Sequence, residues 1–350
     1  MTTRTALVVG DSGVVGEGLA RQLIADGDWE VIGVSRRPGG PQGLHHLALD
    51  LLDPSALAGA GDVWRRVTHA FVTAKVAADE PQAEADLNRR LLGNLLDVLD
   101  LPGSRLAHVG LVHGTKWYGC HRGPYPVPAH EDDERGPGPL FYFDQHDLLA
   151  DRARGRDWSW STLRPHTVWG PASGSGNSLA TLIGIYATLL REAGQPLSFP
   201  GGAANFAKRS QATTAGLLAR GLIWAGTTPG CAGQDINLTN GDVFRWRDLW
   251  PRIAAFFDMA PAPPATDGRL ADRMPPLEPL WDEARRRRGL APLPLAGLVD
   301  WRYGDGLFGV TWDDVSSLDR ARSLGWTERI DSGDAMLGIL GDLRTDGILP

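Results

Sequence analysis

The sequence predicts an α/β protein. Its first half reads as a doubly wound parallel sheet, and a smaller, mainly helical C-terminal part caps the sheet's ligand edge. Three observations predict this. Short apolar runs of strand length alternate with helical periodicity up to about residue 175. The first run ends in a glycine-rich turn that leads directly into a helix. Beyond that point the spacing becomes helical, and proline-rich connections replace the short apolar runs.

Taken in order, "TALVVG" (5–10) is a buried strand and "GVVGEGLARQLIAD" (13–26) has helical spacing. "WEVIGVSRRP" (29–38) is a second strand ending at basic residues and proline, and "LHHLALDLLDP" (44–54) holds a third. "HAFVTA" (69–74) is a fourth, followed by a long helix over 85–100. "LAHVGLVHG" (106–114) is a fifth, 143–154 is helical, and "WSWSTLRPHTVWG" (158–170) alternates as a sixth. Four later segments read as helices: 178–194, 212–227, 245–259 and 334–347. Residues 261–279 form a proline-rich connection. The division expected is a sheet domain over 1–175 and a substrate-binding, capping part over 176–350, with some segments returning to the core sheet.

Bulk properties narrow the function. A chain of 350 residues with 42% apolar content can bury a substantial core. A net charge of −7 and a pI of 5.7 argue against nucleic acid as a partner, which wants a basic face. Cys120 and Cys231 are the only cysteines, so neither a zinc site nor a disulfide framework is expected, and a reducing, cytoplasmic setting fits. No apolar run reaches membrane-spanning length, so no membrane partner is expected. Of the 35 basic residues, lysine occurs only at Lys75, Lys116 and Lys208.

The chemistry begins at "GDSGVVG". Gly10, Gly13 and Gly16, with Val14 and Val15 between the last two, sit where a strand turns into a helix. Glycine permits the tight turn, and the helix N-terminus offers N–H donors to a pyrophosphate. A nicotinamide dinucleotide is therefore the cofactor expected. An acid at the end of the second strand would hold an NAD ribose. Here Ser35, Arg36 and Arg37 stand instead, and paired guanidiniums suit a 2′-phosphate, so NADP(H) is expected. Asp50 and Leu51, closing the third strand, are placed to border the adenine, and Thr73, ending the fourth, to touch the cofactor's ribose. Lys116 follows the fifth strand, at the sheet edge where functional groups gather; a lysine there can bond the nicotinamide ribose and lower a neighbouring hydroxyl's pKa.

"GTKWYGCHRGP", "LFYFDQHDLL", "WSTLRPHTVWG" and "NLTNGDVFRWRDLWPRIA" resemble the progesterone 5β-reductase/iridoid synthase family, atypical extended short-chain dehydrogenases/reductases. The resemblance spans nearly the whole chain. It implies a Rossmann fold and NADPH-dependent reduction of an apolar enone, enal or ketone. The family's T-K-H-Y-x-G-P falls on Thr115, Lys116, Trp117 and Tyr118, with an insertion before Gly123 and Pro124. It makes Lys116 the catalytic lysine and places Trp117 and Tyr118 near substrate. Pro165 and Val168, in "RPHTVWG", would flank the nicotinamide. Ser210 and Gln211 would open a helix bordering the substrate.

The family's N-F-Y-Y-x-x-E-D falls on residues 140–147, and its second tyrosine, understood as catalytic, is Phe143 here. A phenyl ring donates no hydrogen bond. Tyr142 is one residue away, about 100° around a helix. Tyr142 and His146 are four apart and able to share a face, the alternative being a packed Tyr142 and a solvated His146. Two further functions stay open beside the reductase: a non-redox cyclase or isomerase that keeps NADP(H) as scaffold, and a dinucleotide-binding regulatory protein. The partners expected are a small apolar carbonyl or enone substrate and, for the assembly, a homodimer.

Overall fold

The computed structural model describes residues 4–36, 39–171, 177–264 and 268–350. Seven parallel strands form the central sheet: β1 (Arg4–Val9), β2 (Trp29–Ser35), β3 (His45–Ala48), β4 (His69–Val72), β5 (His108–Val112), β6 (Ser159–Pro165) and β7 (Gln234–Leu238). Their order is β7-β6-β5-β4-β1-β2-β3. The chain reverses its winding between β1 and β4, and that switch point opens a crevice at the carboxyl ends of the strands. The doubly wound fold is as expected. β7 is the exception, because no strand was read over 234–238.

The strands are apolar on both sides because both faces are covered. In β1, Ala6 and Val8 pack into one core and Leu7 and Val9 into the other. The first core lies under α1 (Val14–Asp26). The second lies under α2 (Pro81–Leu99), which packs against α3 (Phe141–Ala153). Further along the chain come α4 (Leu179–Glu192) and α5 (Ala215–Thr227), the latter packed on α1. α6 (Trp246–Phe256), α7 (Glu278–Arg288), α8 (Trp301–Phe308) and α9 (Ser332–Thr345) complete the set used here. α4, with twelve of its fourteen residues buried, is the centre of a third core. The stretch read as a plain connection, 261–279, pairs Pro261–Ala262 with Leu197–Ser198 and forms a helical turn at Leu270–Arg273. Among the described residues no helix is long and apolar enough to cross a membrane.

At the sheet end remote from the crevice, His69 and His108 are register partners on β4 and β5. His69 donates from Nε2 to the Gly226 carbonyl (3.1 Å), and His108 sits between the Ser159 and Ser161 hydroxyls (2.9 and 3.0 Å). Burial pushes His69 down to about 4 and His108 to about 3, so both rings are neutral in the fold. An unfolded chain protonates each near 6.5. Below that pH the unfolded state binds more protons, so stability falls with pH until the folded values are reached. Thermal unfolding should show Tm dropping between about pH 6.5 and about pH 4, and His108→Gln should shallow that slope. A slope unaffected by the substitution would remove His108 from the account.

Candidate active site

Two of the three glycines in the turn are sterically closed to any other residue. Gly10 has φ +90°, and a Cβ there would lie 2.8 Å from the Ala74 nitrogen. A Cβ on Gly16 would lie 2.1 Å from the Gly10 carbonyl oxygen. Gly13 caps α1 with no side-chain hydrogen bond, so the helix presents its N-terminal donors and positive end to the crevice. Val15 packs partly into the sheet core, and Val14 faces Gly170, where a Cβ would lie 3.2 Å from Val14 Cγ1.

In front of this turn lies a cleft of about 370 Å³, at the switch point. Gly10, Gly13, Ser35, Arg36, Asp50, Leu51 and Thr73 all line it, as the sequence suggests. Arg36 stands exposed on its rim, whereas Arg37 lies outside the described residues. Asp50 also accepts a bond from the Leu52 backbone (2.9 Å), so it is turn residue and cleft wall together. The Thr73 hydroxyl donates to the Val9 carbonyl (2.7 Å), tying β4 to β1 across the switch point. Sequence reasoning missed Ser12, Lys75 and Asn177 in this lining. For Lys75 the rarity of lysine was the available clue.

Lys116 sits in the 3-10 turn Thr115–Tyr118 that follows β5, outside the residues that line this cleft. Surrounding protein, then the Lys75 charge, lowers its pKa below the ordinary lysine value. Its neighbours in the turn are not cavity walls. Trp117 and Tyr118, expected near substrate, are 4% and 6% exposed and packed inward. Tyr118 Oη donates to Asn237 Oδ1 (2.7 Å) and accepts from Arg164 Nη1 (3.2 Å).

Tyr142 and Phe143 point to different places. The Phe143 ring meets the edge of Trp117 (5.1 Å) and lies under the Arg135 guanidinium (5.2 Å). The Tyr142 ring stacks on His113 (4.7 Å), and its hydroxyl reaches the carboxyl ends of β5 and β6. A Cβ on Gly114 would lie 3.3 Å from Tyr142 Oη and 3.5 Å from the Pro165 carbonyl oxygen. A side chain at 114 would crowd the hydroxyl, and glycine avoids that contact. Burial, followed by the Cys120 and Glu84 charges, raises the Tyr142 pKa well above the ordinary phenol value. His146 does not pair with Tyr142 and is not solvated. It contacts Asp235 (3.2 Å) and the rings of Trp117 and Trp160 (5.2 Å each).

Val168 pairs with Thr213 in a short parallel bridge beyond β6. His166 is a buried scaffold residue held at the Ser316 hydroxyl (2.9 Å). Beyond that bridge lies a small pocket of about 50 Å³, with Ser210 and Gln211 in its wall. The helix expected to start beside them begins later, at Ala215. Trp169, Phe244, Trp246 and Phe308 supply the apolar wall, so the aromatic run 244–250 serves both core and pocket. Lys208 and Asp314 supply its charges.

The PRISE-like Rossmann-fold domain profile matches residues 58–281. The chain belongs to the PRISE-like family. The short chain dehydrogenase gsfE of Penicillium aethiopicum is 32% identical over 378 residues, covering 99% of both chains. The (S)-8-oxocitronellyl enol synthase CYC2 of Camptotheca acuminata is 28% identical over 367 residues, covering 99% of this chain and 93% of its own. Among solved structures, UDP-glucose 4-epimerase of Thermotoga maritima superposes with a TM-score of 0.69 at 15% identity, covering 97% of this chain and 99% of its own; that likeness concerns the fold. The family expected from the sequence motifs is thus the family found. In this PRISE-like chain, Gly16→Ala should abolish measurable dinucleotide binding in a fluorescence titration, because its methyl would displace the turn. Ala at Gly13, where the nearest atom to a Cβ is 3.6 Å away, should weaken binding far less. Equal losses would show that the turn's backbone is not the cradle.

Proposed function

We propose that this protein is an NADPH-dependent reductase of a small apolar enone, enal or ketone, with Tyr142 as the hydrogen-bond donor to the substrate oxygen. The observation that carries the reading is the Tyr142 hydroxyl beside Gly114, at the ends of β5 and β6. The glycine turn and the cleft before it fit a dinucleotide: the turn has no Cβ in the way, and a helix N-terminus faces an anion. When bound, the nicotinamide cofactor supplies the hydride. Arg36, on the rim, would hold the 2′-phosphate, with Arg37 next to it in sequence. Tyr142 stays protonated because burial disfavours the phenolate, and it donates from Oη to the oxygen that gains negative charge. Lys116 adds positive charge near the same oxygen.

Steady-state rates test the donor. Tyr142→Phe should lower kcat for enone or ketone reduction by about 10²–10³-fold, the usual cost of one oxyanion donor, while NADPH affinity holds. Phe143→Tyr should bring no gain, because that ring faces Trp117 and Arg135. The inverse pattern would return the donor's role to position 143. If neither substitution alters NADPH oxidation across a panel of enones and ketones, the cyclase or isomerase reading takes over.

Cofactor choice is tested separately. The unmodified protein should bind NADPH well ahead of NADH. Ala at both Arg36 and Arg37 should erase most of that preference, since each charge-assisted bond contributes about 1.5–3 kcal/mol. Equal binding of the two cofactors by the unmodified protein would refute the 2′-phosphate assignment.

A further inference from the structure

The aromatic pocket holds an ammonium that has no ion-pair partner within contact distance among the described residues, although the Asp314 carboxylate also lines the wall. Lys208 donates to Ser210 Oγ (2.9 Å) and makes no ion pair among the described residues. The carboxylates nearest in charge are already engaged. Asp313 receives Arg209 (2.8 Å), and Asp314 receives the Tyr125 hydroxyl and lies 3.4 Å from His166 Nδ1. An ammonium has three donors, so two remain for a guest. Around it stand the rings of Trp169, Phe244, Trp246 and Phe308, which exclude water and strengthen any charge-assisted bond formed there. A volume of about 50 Å³ admits one compact head group.

The pocket adjoins the reacting end. Cys120 contacts the Thr115 hydroxyl (3.2 Å) beside Lys116, and its thiol feels both the Lys116 and the Lys208 charges. Lys116 in turn feels Lys75. The three lysines, among 35 basic residues, therefore converge on one locality of a chain whose net charge is −7. Among the described residues, arginine serves every lysine or arginine ion pair but one, that of Lys75 with Glu84 (2.8 Å).

We propose that Lys208 binds a carboxylate of the substrate, so that the protein takes an apolar enone, enal or ketone bearing a carboxylate remote from the reacting carbonyl. The proposal rests on the reductase reading for the reacting end only. Substrate orientation follows from it: the carboxylate enters the aromatic pocket and the carbonyl is left at Tyr142.

Calorimetric binding to the NADP⁺-loaded protein tests this without turnover. The probes are saturated methyl ketones of increasing chain length, which NADP⁺ cannot reduce, whose far end is a methyl, an aldehyde or a carboxylate. The carboxylate member of the best-fitting length should bind about tenfold or more tightly than its methyl counterpart. Lys208→Met should collapse that ratio toward one, and Lys208→Arg should keep a part of it, with NADP⁺ binding reporting that each variant is folded. Three results overturn the proposal: no carboxylate preference, an aldehyde bound as well as the carboxylate, or a ratio that survives Lys208→Met. Failure of the reductase reading looks different, as absent NADPH oxidation with carboxylate binding intact.

Discussion

The site is built around a buried arginine. Arg164, on β6, is wholly excluded from solvent, and a guanidinium in that position is tolerable only if paired and bonded. Asp235 of the neighbouring strand β7 lies 2.9 Å from Nη2, and Nη1 donates to Tyr118 Oη and to the Glu131 carbonyl (3.2 and 3.1 Å). Its flat face covers Trp117 at 3.8 Å, a cation–π contact in a desolvated setting. Burial alone would push the Asp235 carboxyl up, but the His146 hydrogen bond and the Arg164 charge outweigh it and hold the group well below the usual carboxylate range. A single charge thus fixes Trp117 and Tyr118, the two residues that follow Lys116 in its turn.

The same economy appears at the cofactor end. Thr73 bonds the strand that precedes the glycine turn, and Ala74 packs so closely on Gly10 that no Cβ fits. The cradle is therefore set by the switch-point strands rather than by the loop itself. Its anion preference comes from the uncapped N-terminus of α1, and its rim charge from Arg36.

What the sequence makes legible follows burial. β1, β4 and β5 are continuous apolar runs because both sheet faces are covered, and these are the strands read without difficulty. β7, "QDINL", escapes notice because Asp235 and Asn237 are polar for a tertiary reason: they complete the Arg164 network and bond Tyr118. α7 escapes too, since Trp281 and Ala284 are its buried residues while the rest, Leu280 apart, is charge and proline. The glycine turn, Arg36 and Lys116 carry their chemistry in local order and are found from it. The pocket around Lys208 is gathered from segments near residues 169, 208, 244 and 314, and no local pattern announces such a convergence.

The tyrosine question turns on helix phase. α3 begins at Phe141, so Tyr142 and Phe143 occupy its first turn and diverge by about 100°. Only one of them can face the strand ends. Phe143 is fixed away from them by Trp117 and Arg135, and both of these belong to the Arg164 neighbourhood through Trp117. Tyr142 is fixed toward them by its stack on His113, the last side chain before Gly114. A phenylalanine at 143 is therefore compatible with an intact donor, because the packing that orients the helix already presents the other ring. The match of motif letters assigned the role by position in a string. The orientation of the helix over Trp117 and His113 is what favours Tyr142 in the role proposed for it, because a hydrogen-bond donor works by direction.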